Sequence, residues 1–258
     1  FILSTLAMRF GTYNIQLGSN FEHVYNLIEN TETINQLEVD RIALQEVDNF
    51  TIRHPIDQTL YIVQYNKIQT FQYFHFEKMR NFQNDGYGIS ILSKQTLIKR
   101  LLTYHYNNTT AEQYTIDLSI YFGTTHLGIG LNGSQQFNEA KQIVQWMSDN
   151  IIDASKNPYV ILMTGDYNTI PSEDAIKNIK LSLFDDLWIV NDICQKIIDP
   201  LNINGYTFDS LHLSKRIDYI FKLKSQNFTE QIKFNCEIQV VSTLSSNHRP
   251  VVLNFDLL

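Results

Sequence analysis

Short apolar stretches of strand length recur along the chain, and several of them end directly in polar or charged residues. The clearest is Tyr159–Met163 (YVILM), which is followed by the turn sequence Thr164–Asn168 (TGDYN). An uninterrupted apolar run of this length, bounded by a glycine turn, is typical of a fully buried strand. Polar groups at the ends of such strands are held in place by a rigid sheet and often carry function. The pattern predicts a protein built around β-sheets, with its site at the strand ends.

Strands outnumber helices in the pattern. The predicted strands, each an apolar or alternating run, are Met8–Gln16, Arg41–Val47, Thr70–Glu77, Tyr87–Leu92, Leu97–Tyr104, Tyr114–Ile120, Tyr121–Leu127, Tyr159–Met163, Arg216–Lys222 and Val251–Asp256. Helices are predicted at Phe21–Leu37 and Ser134–Ile152, where apolar residues recur on one helical face. A shorter helix should start near Pro171, with Ser172 binding its free amide groups. The chain shows no repeat and no linker, so residues 1–258 are predicted to form a single domain, an α/β sandwich of sheets covered by helices.

Charge and cysteine content narrow the functional classes less than the motifs do. The formal net charge of −7 argues against a protein that wraps nucleic acid with a broad basic surface. It is compatible with an enzyme that holds phosphate through a divalent cation, because such a site needs carboxylates. Cys194 and Cys236 are compatible with one disulfide or with two buried thiols.

The location of the protein is predicted from weaker signals. Residues Phe1–Ala7 (FILSTLA) are compatible with the end of a signal peptide or with an ordinary lead-in to the first strand. Glycosylation sequons begin at Asn49, Asn107, Asn108, Asn132 and Asn227. No apolar run is long enough to cross a bilayer. We therefore expect a secreted or lumenal glycoprotein, and the sequence leaves the oligomeric state open.

Polar residues at strand ends are the candidates for chemistry. Asn14 ends the first strand, where a turn or cap residue is the ordinary interpretation, and Glu46 follows the apolar run of the second strand, where a carboxylate is either exposed or held by a cation such as Mg²⁺. His126 ends another strand, and taken alone it is more typical of a structural histidine than of a catalyst. Asp166 and Asn168 place a carboxylate beside an amide, a pair that can orient and deprotonate water.

A second group of candidates lies nearer the carboxyl terminus. Asp218 lies inside the hydrophobic strand sequence RIDYIF, where an unpaired carboxylate would be costly. His248 lies in the sequence SNHRPV. An aspartate that pairs with a histidine orients the ring and favours the imidazolium, which suits the charge that builds up on a phosphate during attack.

Taken together and in order, these segments resemble one family. The series TYN, LQEVD, YGISILS, TTHLG, TGDYN, RIDYIF and SNHRPV, spread between Met8 and Phe255, is similar to the endonuclease/exonuclease/phosphatase (deoxyribonuclease I-like) family. The resemblance implies a four-layer sandwich in which two face-to-face mixed β-sheets are flanked by helices. It also implies a phosphodiester hydrolase that depends on Mg²⁺, or on Mn²⁺ or Ca²⁺.

The resemblance assigns a role to each candidate near the cation. Glu46 would ligate the metal, with Asn14 beside it as a metal or substrate contact. Asn247 stands where the family usually has aspartate, so this position would offer a carbonyl oxygen without the negative charge. Tyr87 would either approach the substrate or pack inside the protein.

The resemblance also assigns the catalytic groups. Asp166 and Asn168 would position and activate the attacking water. His248, held by Asp218, would stabilise the phosphate, and His126 would contact the phosphate as well.

Three functional interpretations remain open from the sequence. The first is a nuclease acting on DNA or RNA, although Arg53, Lys78, Arg80 and Lys94 are scattered in the sequence and mark no basic strip. The second is a sphingomyelinase-like phospholipid phosphodiesterase, because the aromatic-rich stretch Phe71–Phe76 would suit a membrane surface if it did not pack inward. The third is a binding or assembly subunit with impaired catalysis, the class to which Asn247 points.

Overall fold

The computed structural model describes residues 6–66, 71–82, 85–103, 110–115, 120–129, 133–150, 160–190, 194–224 and 234–257. Two β-sheets lie face to face, and a pair of helices covers the outer side of each. The predicted four-layer α/β sandwich is confirmed.

The first sheet has seven strands. In chain order they are β1 (Leu6–Asn14), β2 (Arg41–Asn49), β3 (Tyr73–Phe82), β4 (Asp85–Ser93), β10 (Gln195–Ile197), β12 (Phe234–Val240) and β13 (Val251–Leu257). Their order across the sheet is β10-β12-β13-β1-β2-β4-β3, and β1 and β2 are parallel neighbours.

The second sheet has six strands. They are β5 (Ile98–Thr103), β6 (Thr110–Thr115), β7 (Ile120–His126), β8 (Val160–Asp166), β9 (Phe184–Asp186) and β11 (Asp218–Leu223). The order is β5-β6-β7-β8-β11-β9, with β7 and β8 parallel. Each sheet thus has one central parallel pair, whose carboxyl ends lie at the same edge.

Helices cover the outer faces of the sheets. On the first sheet, α1 (Leu27–Gln36) and α2 (Gln58–Tyr65) bury apolar residues such as Ile34 and Ile62 against β1 and β2. On the second, α3 (Ser134–Asn150) and α4 (Asp174–Ser182) pack against β8 and β11. Among the described helices, none combines the length and apolar character of a membrane-crossing segment.

The layer between the sheets is apolar and aromatic. Phe10 of β1 and Phe122 of β7 meet across it with ring centroids 5.3 Å apart. Ala43, Leu162 and Ile220 belong to the same buried cluster. Because β2 and β8 are buried on both faces, their apolar residues stand in uninterrupted runs, Ile42–Leu44 and Val160–Met163, instead of alternating with polar ones.

Several predicted boundaries were wrong. The helix predicted from Phe21 begins instead at Leu27, because the side chain of Asn26 accepts the amide hydrogen of Glu29 and caps it there. Val24, assigned to the apolar face of that helix, is exposed in the preceding loop. Ser172 does not cap α4, whose N-cap residue is Glu173.

The sequence also left some elements incomplete or unpredicted, and it left the state of the cysteines open. The strand predicted at 114–120 is β6, which ends at Thr115; residues 116–119 lie outside the described part, and Ile120 begins β7. Helix α2 and strand β12 were not predicted. Cys194 and Cys236 form a disulfide, with Cα atoms 4.7 Å apart.

Of the location signals, residues 1–5 of the lead-in and the sequons at 107, 108, 132 and 227 lie outside the described residues. Asn49 is the last residue of β2 and is half-buried.

Candidate active site

The ends of the two parallel strand pairs meet at one edge of the sandwich. Asn14 is the last residue of β1, and His126 and Asp166 are the last residues of β7 and β8, where they lie opposite each other. Asp218 begins β11 and is the antiparallel partner of Asp166. The predicted residues therefore converge, with Asn14 supplied by one sheet and the other three by the second.

Glu46 reaches this edge through a break in the strand. The pairing of β2 with β4 shifts register between Leu44 and Val47, and Glu46 has a φ of 56°. A β-bulge re-aims a side chain, and a left-handed conformation is uncommon for a glutamate. As a result, the Glu46 side chain lies at the edge of the sandwich and not on the helix-covered face of the sheet. There its Oε1 accepts a hydrogen bond from Asn14 Nδ2 (3.1 Å).

Asp166 is the centre of the arrangement. Its Oδ1 accepts the backbone amide hydrogen of Asn168 (2.7 Å), and its Oδ2 accepts from Asn14 Nδ2 (3.0 Å). The Nε2 atoms of His126 and His248 lie 3.6 Å and 3.7 Å from the same Oδ2. Burial, and then the charge of Asp218, raise the pKa of Asp166, while the two histidines limit that rise.

His248 is held as a cation by its carboxylate neighbours. Its Nδ1 lies 2.9 Å from Asp218 Oδ2, and the ring is buried. Burial alone lowers the pKa of an imidazole, but the charges of Asp218 and Asp166 and the hydrogen bond to Asp218 outweigh burial and raise the pKa of His248 to about 9. The loop is fixed because the amide of His248 donates to Ser246 Oγ, and that hydroxyl donates to the carbonyl of Asn14.

His126 has a different set of partners. Asn168 Nδ2 donates to the carbonyl of Leu127 (2.8 Å) and lies 3.0 Å from His126 Nε2. Because an amide nitrogen can only donate, Nε2 is the acceptor and the ring proton is on Nδ1, which lies 3.5 Å from the hydroxyl of Tyr87. Tyr87 is buried, and burial followed by the charge of Glu46 raises the pKa of its phenol well above the usual value.

The residues fit a divalent cation next to Glu46. The carboxylate of Glu46 is part-exposed, and one ligand atom from each of Glu46, His126 and Asp166 lies within 4.8 Å of the others. Asn247 Oδ1 is buried, and among the described residues it has no hydrogen-bond partner. Carbonyl and carboxylate oxygens are the ligand types that Mg²⁺ accepts, and a buried oxygen without a partner calls for an explanation such as an ion. Asn14, in contrast, presents its Nδ2 to the carboxylates, because its Oδ1 accepts the amide hydrogen of Gln16.

A cleft of about 570 Å³ opens over the site. Its lining residues are Glu46, Ile129, Gly133, Gln136, Asn168, Thr169, Ile170, Glu173, Phe208, Lys215, Ile217, Asn247 and His248. Glu46, Asn168, Asn247 and His248 therefore face the cleft, and Asp166 lies behind them.

Sequence reasoning missed the residue that joins the two sheets beneath the site. Gln45 Nε2 donates to Thr12 Oγ1 and to Thr124 Oγ1, both at 3.0 Å, so it connects β1 and β2 to β7. The available signal was an amide in an otherwise apolar strand, next to Glu46, because a buried amide must find partners. Gln136, Glu173, Phe208 and Lys215, which line the cleft, carried no recognisable signal.

Comparison with solved structures finds the same fold in proteins of other organisms. An endonuclease/exonuclease/phosphatase from Beutenbergia cavernae aligns over 97% of this chain and 72% of its own, with a TM-score of 0.72 and 16% identity. D. rerio TDP2 complexed with single-strand DNA product aligns over 96% and 98% (TM-score 0.64, 16% identity). A mannosyl-6-phosphatase from Bacteroides thetaiotaomicron aligns over 96% and 99% (TM-score 0.67, 13% identity).

Two comparisons were made with the sequence. A search of curated proteins gave no match. The model of the Endonuclease/Exonuclease/phosphatase family matches residues 11–222, which span both parallel strand pairs and all the site residues except Asn247 and His248. This chain therefore belongs to the Endonuclease/Exonuclease/phosphatase family.

Proposed function

We propose that this protein is a divalent-cation-dependent phosphodiesterase that hydrolyses nucleic acid. The observation that carries the proposal is the position of Asp166, with one carboxylate oxygen between the Nε2 atoms of His126 and His248 at 3.6 Å and 3.7 Å. A buried base beside a cationic imidazole supplies the two things that attack on a phosphodiester needs, a proton acceptor and a positive charge near the phosphate.

Asp166 is proposed as the base that takes the proton of the attacking water. The backbone amide of Asn168 and the side chain of Asn14 hold its two oxygens, so the carboxylate has one orientation. Its raised pKa suits a general base, because a carboxylate with an ordinary pKa accepts a proton poorly near neutral pH.

His248 is proposed to stabilise the negative charge that builds up on the phosphate. Asp218 keeps the ring oriented through Nδ1, and His248 lines the cleft, where a phosphate oxygen would lie. The charged ring is already in position before the reaction starts, so the protein needs little reorganisation as negative charge develops on the phosphate.

Glu46 and the Oδ1 atom of Asn247 are proposed to hold the cation. When bound there, Mg²⁺ or a similar ion would neutralise charge on the phosphate. The part-exposed carboxylate of Glu46 and the unpartnered oxygen of Asn247 support this assignment, and both residues belong to the lining of the cleft.

One structural observation favours a second candidate, the phospholipid phosphodiesterase. Several apolar side chains between β10 and β11, close in sequence to the cleft residue Phe208, are exposed: Ile198, Leu201, Ile203 and Leu211. Exposed apolar side chains of this kind would suit contact with a lipid surface. Nucleic acid remains the first choice, since the related fold of D. rerio TDP2 was solved with a DNA product.

An oxidising location is part of the proposal. The disulfide between Cys194 and Cys236 supports a secreted or lumenal protein, because such bonds are rare in reducing compartments. Thiol trapping of the protein from intact cells should find both cysteines blocked; free thiols would contradict this location.

The test is hydrolysis of three substrates with Mg²⁺ and with chelator: a single-stranded oligonucleotide, plasmid DNA and sphingomyelin vesicles. We expect chelator-sensitive cleavage of nucleic acid, and a loss of at least about a hundredfold in Asp166→Asn and in His248→Ala. Matched controls are Asp174→Asn and His212→Ala, which remove the same groups at exposed positions that are not among the cleft-lining residues.

Retained activity in Asp166→Asn would contradict the assignment of the base. Cleavage of sphingomyelin alone would contradict the nuclease proposal and favour the phospholipid phosphodiesterase. Absence of turnover on every substrate, with no bound cation, would favour a binding or assembly subunit.

A further inference from the structure

Two arginines that are far apart in the sequence meet beside the active centre. The Cζ atom of Arg80 lies 4.7 Å from the centroid of the Tyr87 ring, and that of Arg53 lies 5.9 Å from it. The two residues form no basic strip in the sequence. Strand pairing brings both of them near the ring of Tyr87. Asp48 pairs with Arg53, so the two guanidinium groups and this carboxylate together leave positive charge beside the ring in a chain whose net charge is −7.

The pairing of three strands explains why the arginines meet. Tyr87 of β4 is the direct partner of Asp48 in β2 and of Arg80 in β3. Residues directly opposite each other in a sheet point to the same face. The pairing of β3 with β4 shifts register between Lys78 and Arg80, and such a bulge re-aims the following side chain. Arg80 is thereby placed over Tyr87 while remaining exposed to solvent.

Arg53 is oriented by a fully buried carboxylate. Its Nε and Nη2 donate to the two oxygens of Asp48 at 2.6 Å and 2.8 Å. Thr51 Oγ1 donates to Asp48 as well, and His54 Nδ1 lies 2.7 Å from it. The Arg53 side chain keeps 28% of its surface exposed, so it is fixed on one side and open to the solvent on the other. A planar guanidinium fixed in this way loses little entropy when it binds a phosphate.

Tyr87 connects this pair to the reacting centre. Its hydroxyl lies 3.5 Å from His126 Nδ1, and the opposite nitrogen of that histidine lies 3.6 Å from Asp166. The arginines therefore flank the catalytic groups on the β3 and β4 side, away from the cleft that His248 and Lys215 line.

We propose that Arg53 and Arg80 form a second anion-binding subsite, which takes a phosphate neighbouring the scissile one on a single nucleic-acid strand. The inference rests on the proposed function and names the substrate more closely: a polyanion with successive phosphates, as opposed to a substrate with one phosphate. A sugar monophosphate or a sphingomyelin head group has no second phosphate for this subsite.

The experiment compares Arg80→Gln and Arg53→Lys with wild type on two substrates. One is a single-stranded oligonucleotide and the other is bis(p-nitrophenyl) phosphate, which carries one phosphate. We expect the ratio of kcat/KM for the oligonucleotide to that for the small diester to fall about tenfold in Arg80→Gln, as for the loss of one charged contact. The salt dependence of oligonucleotide binding should lose about one unit of slope.

A matched control and a binding measurement separate the possible failures. Lys177→Gln removes an exposed positive charge on α4 and should change neither substrate. Anisotropy of a fluorescein-labelled oligonucleotide in chelator measures binding without turnover. Arg53→Lys keeps the charge beside Asp48 while losing the planar fork, so it folds and still tests the geometry.

The outcomes are distinct. If wild type binds the oligonucleotide through the arginines but cleaves nothing, the proposed function fails and the subsite stands. If wild type cleaves the oligonucleotide and both variants behave as Lys177→Gln does, the subsite is refuted. It is refuted equally if the arginine variants lose activity on both substrates to the same extent, or lose it on sphingomyelin vesicles alone.

Discussion

The pair of His248 and Asp218 gives the sharpest quantitative prediction. The substitution Asp218→Asn keeps the shape of the side chain and removes its charge, 2.9 Å from His248 Nδ1. The neighbouring carboxylates raise the pKa of His248 from 6.5 to about 9. That shift corresponds to a preference for the imidazolium of about 3 kcal/mol.

In the variant, the balance of effects on His248 changes. Burial, which is the largest single influence and lowers the pKa, remains, and so do the charges of Asp166 and Glu46, which raise it. The charge of Asp218 and the hydrogen bond to its carboxylate, which also raise the pKa, are lost. We therefore expect the pKa of His248 to fall well below about 9, so that less of the protein carries the imidazolium at mildly alkaline pH.

The assay is an NMR titration of the histidine ring protons, with His248→Ala to identify the resonance. Hydrolysis measured across pH should lose activity near pH 9 in wild type and at a lower pH in Asp218→Asn. The free energy of unfolding should show a related pH dependence in wild type: because the folded pKa of His248 is raised, the stabilisation is fully present below pH 6.5 and is lost as the pH rises through about 9. In the variant this loss should be smaller and should occur at lower pH.

Asp174→Asn, which removes an exposed carboxylate on α4, serves as the control and should leave the titration of His248 unaltered. The reasoning is refuted if His248 in Asp218→Asn still titrates near 9.

Three further predictions concern other parts of the molecule. Asn247→Asp adds a charge to the orphaned oxygen at the cleft and should tighten Mg²⁺ binding about tenfold, or by about 1.4 kcal/mol, in calorimetric titration; unchanged affinity would remove this residue from the cation site. Gln45→Leu leaves the hydroxyl of Thr124 without its donor between the sheets and should lower the free energy of unfolding by about 2 kcal/mol in urea, and a loss within error would argue against a structural role. Cys194→Ser combined with Cys236→Ser opens a loop with a sequence separation of 42 and should cost about 4 kcal/mol on the same urea scale; equal stability of reduced and oxidised wild type would contradict it.

Sequence patterns predicted the parts of the fold that depend on local periodicity. Two of the four central parallel strands, β2 and β8, were found because burial on two faces leaves an apolar run with a clear end. The start of α1 was missed because Val24 imitates the helical period, whereas the capping bond at Asn26 decides where the helix begins.

The sequence named candidate residues for the site but did not predict how they are arranged. The order of the motifs proposes Asp166 and His248, yet it contains no sign of the bulge that turns Glu46 to the edge of the sandwich where they meet. The meeting of Arg53 and Arg80 depends on strand pairing between distant segments, and pairing partners are a tertiary property with no local signature.

The join made by Gln45 has a mechanical consequence for the site. Asn14 and Glu46 belong to strands of one sheet, whereas His126 and Asp166 belong to strands of the other. The distance from Asn14 and Glu46 to Asp166 therefore depends on the rings and aliphatic chains packed between the sheets. Mild denaturant, or a smaller side chain at Phe10 or Phe122, should change this distance while every strand keeps its partners. Activity should then be lost before the protein unfolds, and the catalytic rate would report on the packing between the two sheets.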